Sequence, residues 1–215
     1  MGEARLRRQR YRRLLEERAI WGRWGDVSGG LVLDYGCGNG WFLRRLARRG
    51  FKVIGLEVHK ESLHWARLGT DGQRVLLVLY GGGVLPVKEE SADLILAVGV
   101  IRSLMDRGPL EEAVKEWWRC LRKQGRLLLI ETDNAALRRK RSVQGILEVL
   151  MGGGFQVLAW YPIRKTSWWG LSLIKAGLWP PSLYDWMAAW ELRRRQKKGI
   201  FPRGKMAYLG EFLKP

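Results

Sequence analysis

The densest chemistry in the chain lies in Asp34-Tyr35-Gly36-Cys37-Gly38-Asn39-Gly40, which follows the apolar run Leu31-Val32-Leu33 and precedes an amphipathic stretch that begins at Trp41. Glycine accepts the backbone angles of a sharp turn and puts no Cβ in the path of a ligand approaching the main chain. A helix starting just after the turn offers N–H groups without intrahelical partners. Together these features describe a nucleotide-type site at the carboxyl end of a strand. A dinucleotide site needs G-x-G-x-x-G, which would put its third glycine at position 41, where this chain has Trp41. The glycines fall instead at 36, 38 and 40, and Asp34 stands directly before the turn. A carboxylate there repels a pyrophosphate and attracts a ligand that carries an ammonium and a sulfonium.

Glu57 closes the next apolar run, about 20 residues beyond the first glycine, where a carboxylate can accept both ribose hydroxyls. Spacing and charge together favour S-adenosylmethionine over NAD. His59 follows just behind, toward the adenosine edge, whereas His64 falls in a helical stretch and reads as a surface or packing residue. Glu131 and Asp133 end the fifth apolar run, where a carboxylate can orient an acceptor or cap the next helix. Cys37 and Cys120 are too few for a disulfide framework or a zinc site, and Cys37 fits the turn as a small side chain. No metal site is expected.

The elements that must position these residues follow from the apolar pattern. Leu31–Tyr35, Lys52–Glu57, Val75–Tyr80, Leu94–Val100, Arg126–Glu131, Phe155–Tyr161 and Met206–Leu213 read as strands. The first five are rich in Val, Ile and Leu without strict alternation, as in strands covered on both faces. Helices are expected at about Gly40–Arg49, Lys60–Leu68, Pro109–Arg122 and Ala136–Met151, with Gly50 and Gly125 as left-handed residues beyond helix ends. An N-terminal helix, about Ala4–Trp24, places Leu6, Leu14, Ile20, Trp21 and Trp24 on one side and Arg5, Arg7, Arg8, Arg12 and Arg13 on the rest. Alternating strands and helices predict an α/β fold around a parallel sheet. The division expected is one domain over 1–215: a basic helix over 1–27, a cofactor-binding core over 28–161, an insertion over 162–200 and a closing strand over 201–215.

Four stretches then resemble, in the expected order, the class I S-adenosylmethionine-dependent methyltransferases of the small-molecule type. Val32–Gly40 is similar to that family's first motif, and Val53–Glu57 to its second strand with the ribose-binding acid. Leu85–Ile95 resembles the segment leading into its fourth strand, and Trp118–Leu128 the helix and turn before its fifth. The resemblance covers residues 31 to about 132. It implies a Rossmann-like three-layer sandwich with a mostly parallel seven-stranded sheet, a last strand running antiparallel and a Trp-rich helical insertion before it. It also implies cofactor contacts from Asp34, Tyr35, Gly36, Cys37, Gly38, Asn39, Gly40, Glu57, Val58, Gly82, Gly83, Val98 and Gly99. The chain departs from the family in two places. Gly81-Gly82-Gly83 stands where an acidic residue often meets the adenine amino group, and Val100–Met105 replaces a motif that often holds paired histidines. In-line methyl transfer draws much of its rate from positioning, so the absence of an obvious general base does not exclude an enzyme. Glu131, Asp133 and Tyr11, the last on a helix that in relatives often folds over the cofactor, are the candidates for contact with an acceptor.

The net charge is +18 over 215 residues, which favours polyanionic partners or an Arg-rich solvated surface. The insertion holds Trp160, Trp168, Trp169, Trp179, Trp186 and Trp190 beside the basic run Arg193–Lys198. Three readings fit, in order of preference: a lid over a small-molecule or lipid-like acceptor, an interfacial patch on an anionic membrane surface, and a nucleic-acid surface. The rivals to a small-molecule methyltransferase are accordingly a non-catalytic cofactor-binding or membrane-associated scaffold on the same fold and an RNA methyltransferase. No apolar run approaches the roughly 20 residues of a membrane span, and the N-terminus lacks a signal-like apolar core, so a cytoplasmic protein, peripheral to the membrane at most, is expected.

Overall fold

The computed structural model describes residues 2–25, 29–70, 72–108, 110–132, 143–165, 169–196 and 206–215. The strands are β1 (Leu31–Tyr35), β2 (Lys52–Glu57), β3 (Val75–Leu79), β4 (Ala92–Val98), β5 (Leu121–Thr132), β6 (Gln156–Lys165) and β7 (Met206–Leu213). They form one seven-stranded sheet in the order β3-β2-β1-β4-β5-β7-β6. β1 to β5 pair in parallel, and β7 runs antiparallel between β5 and β6. The mostly parallel sheet with an antiparallel last strand is thus the one the family resemblance implies.

The bounds of β1, β2 and β7 agree with the expected runs, while two strands are longer. β5 begins at Leu121, paired with Ala92 ahead of a register shift, and β6 continues through Arg164 and Lys165 against Ala207 and Met206 of β7. Backbone pairing carries the strands through charged residues that break the apolar pattern.

The helices are α1 (Glu3–Trp24), α2 (Trp41–Arg48), α3 (Lys60–Gly69), α4 (Ile101–Arg107), α5 (Leu110–Cys120), α6 (Val143–Gly152), α7 (Trp169–Ala176) and α8 (Tyr184–Gln196). The pattern did not predict α4, a two-turn helix directly after β4. Pro109 and residues 136–142 of the expected fourth helix lie outside the described residues. Gly50 is left-handed as expected, at φ 84°, but beyond α5 the left-handed residue is Gln124, at φ 61°. Gly125 answers a different demand: a Cβ there would come within 2.7 Å of the Arg122 carbonyl oxygen.

Buried side chains form two clusters, one on each face of the sheet. α1, α2, α3, α7 and α8 contribute to the first, and α4, α5 and α6 to the second. The buried face of α1 is Tyr11, Leu15, the adjacent pair Ala19 and Ile20, and Trp24, about one helical turn between each, whereas Leu6 is half exposed. The Trp-rich insertion joins this layer: α7 and α8 pack against α1, and α8 also against β6. Tyr184 meets Tyr11 edge to face at 5.9 Å, and Arg18 forks onto both carboxylate oxygens of Asp185. Trp160 is a sheet residue, stacked on Tyr208 at 5.8 Å. Its ring fills the space above Gly210, where a Cβ would approach within 2.4 Å.

Candidate active site

A cleft of about 1110 Å³ opens at the carboxyl ends of the parallel strands. It spans the point where β1 has β2 on one side and β4 on the other, the switch point at which open α/β sheets bind ligands. Tyr35, Gly36, Glu57, Val58, His59, Gly81, Gly82, Gly83, Val98, Gly99, Glu131 and Thr132 border it.

The turn after β1 is built as its glycines require. Gly36, Gly38 and Gly40 are all left-handed, at φ 74°, 55° and 78°. A Cβ on Gly36 would come within 2.3 Å of Val100 Cγ1, so that position is closed by packing. Around Gly38 nothing lies within 4 Å of such a Cβ, so the main chain there is open to approach. The N–H groups of Gly36 and Cys37 donate to the Leu56 carbonyl at 2.8 and 3.0 Å, which ties the turn to the end of β2. Cys37 is buried against Gly55, its thiol pushed well above the ordinary range by burial and then by Asp34 and Glu57. It is a packing residue here, not a nucleophile.

Glu57 is held from three directions. Gly38 N–H donates to Oε2 at 2.9 Å, and Val58 and His59 N–H donate to Oε1 at 2.8 and 3.0 Å. A carboxylate offers about four acceptor positions, so one on Oε2 remains for a ligand hydroxyl. Asp34, 2 % exposed, is the other acid of the site. Burial pushes its carboxyl up to about 7, Arg13 pulls it down and Glu57 raises it further. Its Oδ2 is buried without a hydrogen-bond partner among the described residues. An orphaned carboxylate oxygen under a glycine turn is the feature an ammonium-bearing ligand would complete, and the residues present fit S-adenosylmethionine.

The loop after β3 is organised by Tyr80, whose hydroxyl donates to the Gly83 carbonyl at 2.5 Å and whose ring meets Tyr35 edge to face at 5.9 Å. Gly82 and Gly83 are left-handed, with open space at their Cα atoms. Asn39 is exposed, and its carbonyl accepts from Arg44 at 2.9 Å. Gly40 caps α2.

Of the acceptor-side candidates, Glu131 borders the cleft. Both its oxygens are engaged, by Ile101 N–H at 3.1 Å and Thr132 N–H at 2.8 Å, and burial raises its carboxyl above the ordinary range. It thereby anchors the start of α4. Tyr11 is fully buried, donates to Glu191 at 2.8 Å and does not border the cleft. Asp133 lies outside the described residues. Among the described residues no tryptophan lines the cleft, and no group of three or more His, Cys, Asp or Glu could hold a metal ion.

The pattern missed a set of arginines. Arg8, Arg12 and Arg13 of α1, Arg102 of α4 and Arg164 of β6 all face the cleft. The available signal was Arg164 following Ile163 at the end of an apolar strand, and Arg8 and Arg12 one helical turn apart.

Fold and site together define the class I methyltransferase architecture. Residues 33–129 match the family described as Methyltransferase domain. A ubiquinone biosynthesis O-methyltransferase of Bradyrhizobium diazoefficiens is 28% identical over 66% of this chain and 53% of its own length. The chain spans about half the length of several curated relatives it matches. An S-adenosylmethionine-dependent methyltransferase of Mesorhizobium loti superposes with TM-score 0.66 at 17% identity, covering 93% of this chain and 97% of that one. The geranyl diphosphate C-methyltransferase of Streptomyces coelicolor A3(2) gives TM-score 0.68 at 12% identity, covering 93% and 79%. At such identities the structural likeness is one of fold.

Proposed function

We propose that the chain is one methyltransferase domain that moves a methyl group from S-adenosylmethionine to a small-molecule acceptor. The observation that carries this reading is the orphaned Asp34 Oδ2 at the start of the Gly36–Gly40 turn, together with Glu57, which accepts from Gly38 N–H within that turn. Asp34 would take the ammonium, Glu57 Oε2 a ribose hydroxyl, and the backbone at Gly36 and Gly38 the close approach. Tyr35, Cys37, Asn39 and Gly40 shape that turn, while Val58, Gly82, Gly83, Val98 and Gly99 would bound the nucleoside. Bound there, S-adenosylmethionine supplies an electrophilic methyl on a sulfonium. The chain's part is to hold the acceptor in line and exclude water, which can lower a barrier by several kcal/mol. Conversion of S-adenosylmethionine to S-adenosylhomocysteine, followed with a panel of small acceptors, tests the reading. Acceptor-dependent product supports it, and cofactor bound but never consumed favours a non-catalytic scaffold.

A peripheral membrane contact has separate support. Trp186 and Trp190, one turn apart on α8, are 58% and 36% exposed, and the Arg194 guanidinium lies 5.2 Å from the Trp190 ring centroid. Aromatic rings beside cations suit a headgroup layer. No described helix is long and apolar enough to cross a membrane. Tryptophan emission that shifts to the blue on adding phosphatidylglycerol vesicles is expected, and an unchanged spectrum removes this reading.

A further inference from the structure

Arg8, Arg12 and Arg164 border the cleft together with Arg13, which also acts on Asp34 at the cofactor turn. The sheet explains why they gather. β6 runs parallel to β5 across the intervening β7, so its carboxyl end points to the same edge as the ends of β1 to β5. Thr132, Ala207 and Arg164 form one row across β5, β7 and β6. α1 lies over this row and brings Arg8, Arg12 and Arg13 to the same cleft.

Among the described residues, the guanidinium groups there outnumber the carboxylates. Glu16, 2 % exposed, is the carboxylate shared by three guanidinium groups: Arg12 at 3.2 Å, Arg13 at 3.3 Å and Arg164 at 3.9 Å. Glu191 also faces Arg164, Glu131 lies at the cleft floor, and Arg8 adds a further positive charge nearby. Arg164 is 5 % exposed and its Nε is buried with no hydrogen-bond partner among the described residues. Burial and the neighbouring Arg12 and Arg8 both work against its charge. A guanidinium held dry, among others of its kind and short of acceptors, is costly unless an anion completes it.

We infer that this end of the cleft is a phosphate-binding subsite, formed by Arg12 and Arg164 with Arg8 and Arg13 around them, that holds a phosphate or diphosphate group of the methyl acceptor. The inference deepens the proposed function and rests on it only for the word acceptor. Planar guanidinium forks match phosphate oxygens two at a time, and several of them suit a dianion better than a single carboxylate. The bound group would fix one end of the acceptor at α1 and β6 and leave its other end directed along the cleft toward the cofactor turn.

Calorimetric titration of the full chain with inorganic pyrophosphate, without cofactor, tests the subsite. Saturable one-to-one binding is expected, weakened roughly tenfold or more in Arg164→Gln and again in Arg12→Gln, since each removes a charge-assisted contact. Affinity for S-adenosylhomocysteine should stay unchanged in both variants. Arg12 is a half-exposed helix residue, so its variant stands as a test even if Arg164→Gln folds poorly. Vesicles of phosphatidic acid that displace pyrophosphate place the phosphate on a lipid acceptor, and failure to displace places it on a soluble one; both agree with the subsite. Absent pyrophosphate binding, or binding equal in wild type and Arg12→Gln, overturns it. Pyrophosphate binding without S-adenosylhomocysteine binding would instead remove the cofactor reading and leave the subsite standing.

Discussion

Glu57→Ala weakens binding of S-adenosylhomocysteine by roughly a hundredfold, the cost of one hydrogen bond to a charged group together with the support it gives the turn. The carboxylate does two things at once. It accepts from Gly38, Val58 and His59 N–H, which fixes the turn against the end of β2. It also presents the remaining Oε2 position to the cleft. Glu57→Gln is expected to fail nearly as badly, because an amide has a single acceptor oxygen and its NH₂ would face backbone donors. The check is calorimetry, with circular dichroism to show that the sheet persists. An affinity within a few-fold of wild type for either variant contradicts the role given to Glu57.

Asp34→Asn moves stability and affinity in opposite directions. The buried carboxyl has its pKa raised from 3.8 to about 7, chiefly by desolvation. A carboxyl raised on folding contributes stability that is fully present below its unfolded value and is lost as the pH rises through the folded value. The ligand-free protein is therefore penalised at pH 8 by an amount on the order of 4 kcal/mol that the asparagine variant does not bear. The variant should melt higher than wild type at pH 8, by roughly 10–15 °C for a chain of this size, with the gap closing toward pH 4. Binding runs the other way. An ammonium-bearing ligand prefers the ionised carboxylate, so wild-type affinity for S-adenosylhomocysteine should rise about tenfold from pH 6 to pH 8. Asp34→Asn should bind weakly at both values. Equal melting temperatures at pH 8, or an affinity in wild type that does not change with pH, speaks against a buried carboxyl waiting for a cation.

The cofactor end of the cleft was legible because its chemistry is contiguous. Asp34 to Gly40 lie in one turn, and Glu57 ends the very next strand, so spacing alone brings them together. β1, β2 and β7 were legible because buried strands are nearly all apolar. The acceptor end was not, for three physical reasons. Arg164 extends β6 beyond the apolar run, held in register by Ala207, and a charged residue at a strand end looks like a loop. Arg8, Arg12 and Arg13 read as solvated because the pattern of α1 fixes a buried face without saying what its flank overhangs. α4 is two turns long, too short for its periodicity to stand out, and Glu131 fixes its start through the Ile101 N–H from thirty residues away. The tryptophans that the sequence groups together stand in different places: Trp160 fills the sheet above Gly210, while Trp186 and Trp190 face outward on α8.

Everything proposed for the methyl donor depends on one equilibrium. Titration of the wild-type chain with S-adenosylhomocysteine at pH 8, read by calorimetry, measures it without requiring that the acceptor be known. The expected result is a single saturable site, competed by S-adenosylmethionine and insensitive to NAD. No heat of binding up to the solubility limit of the ligand, or equal competition by NAD, contradicts the reading of Asp34, the Gly36–Gly40 turn and Glu57 as a methyl-donor site.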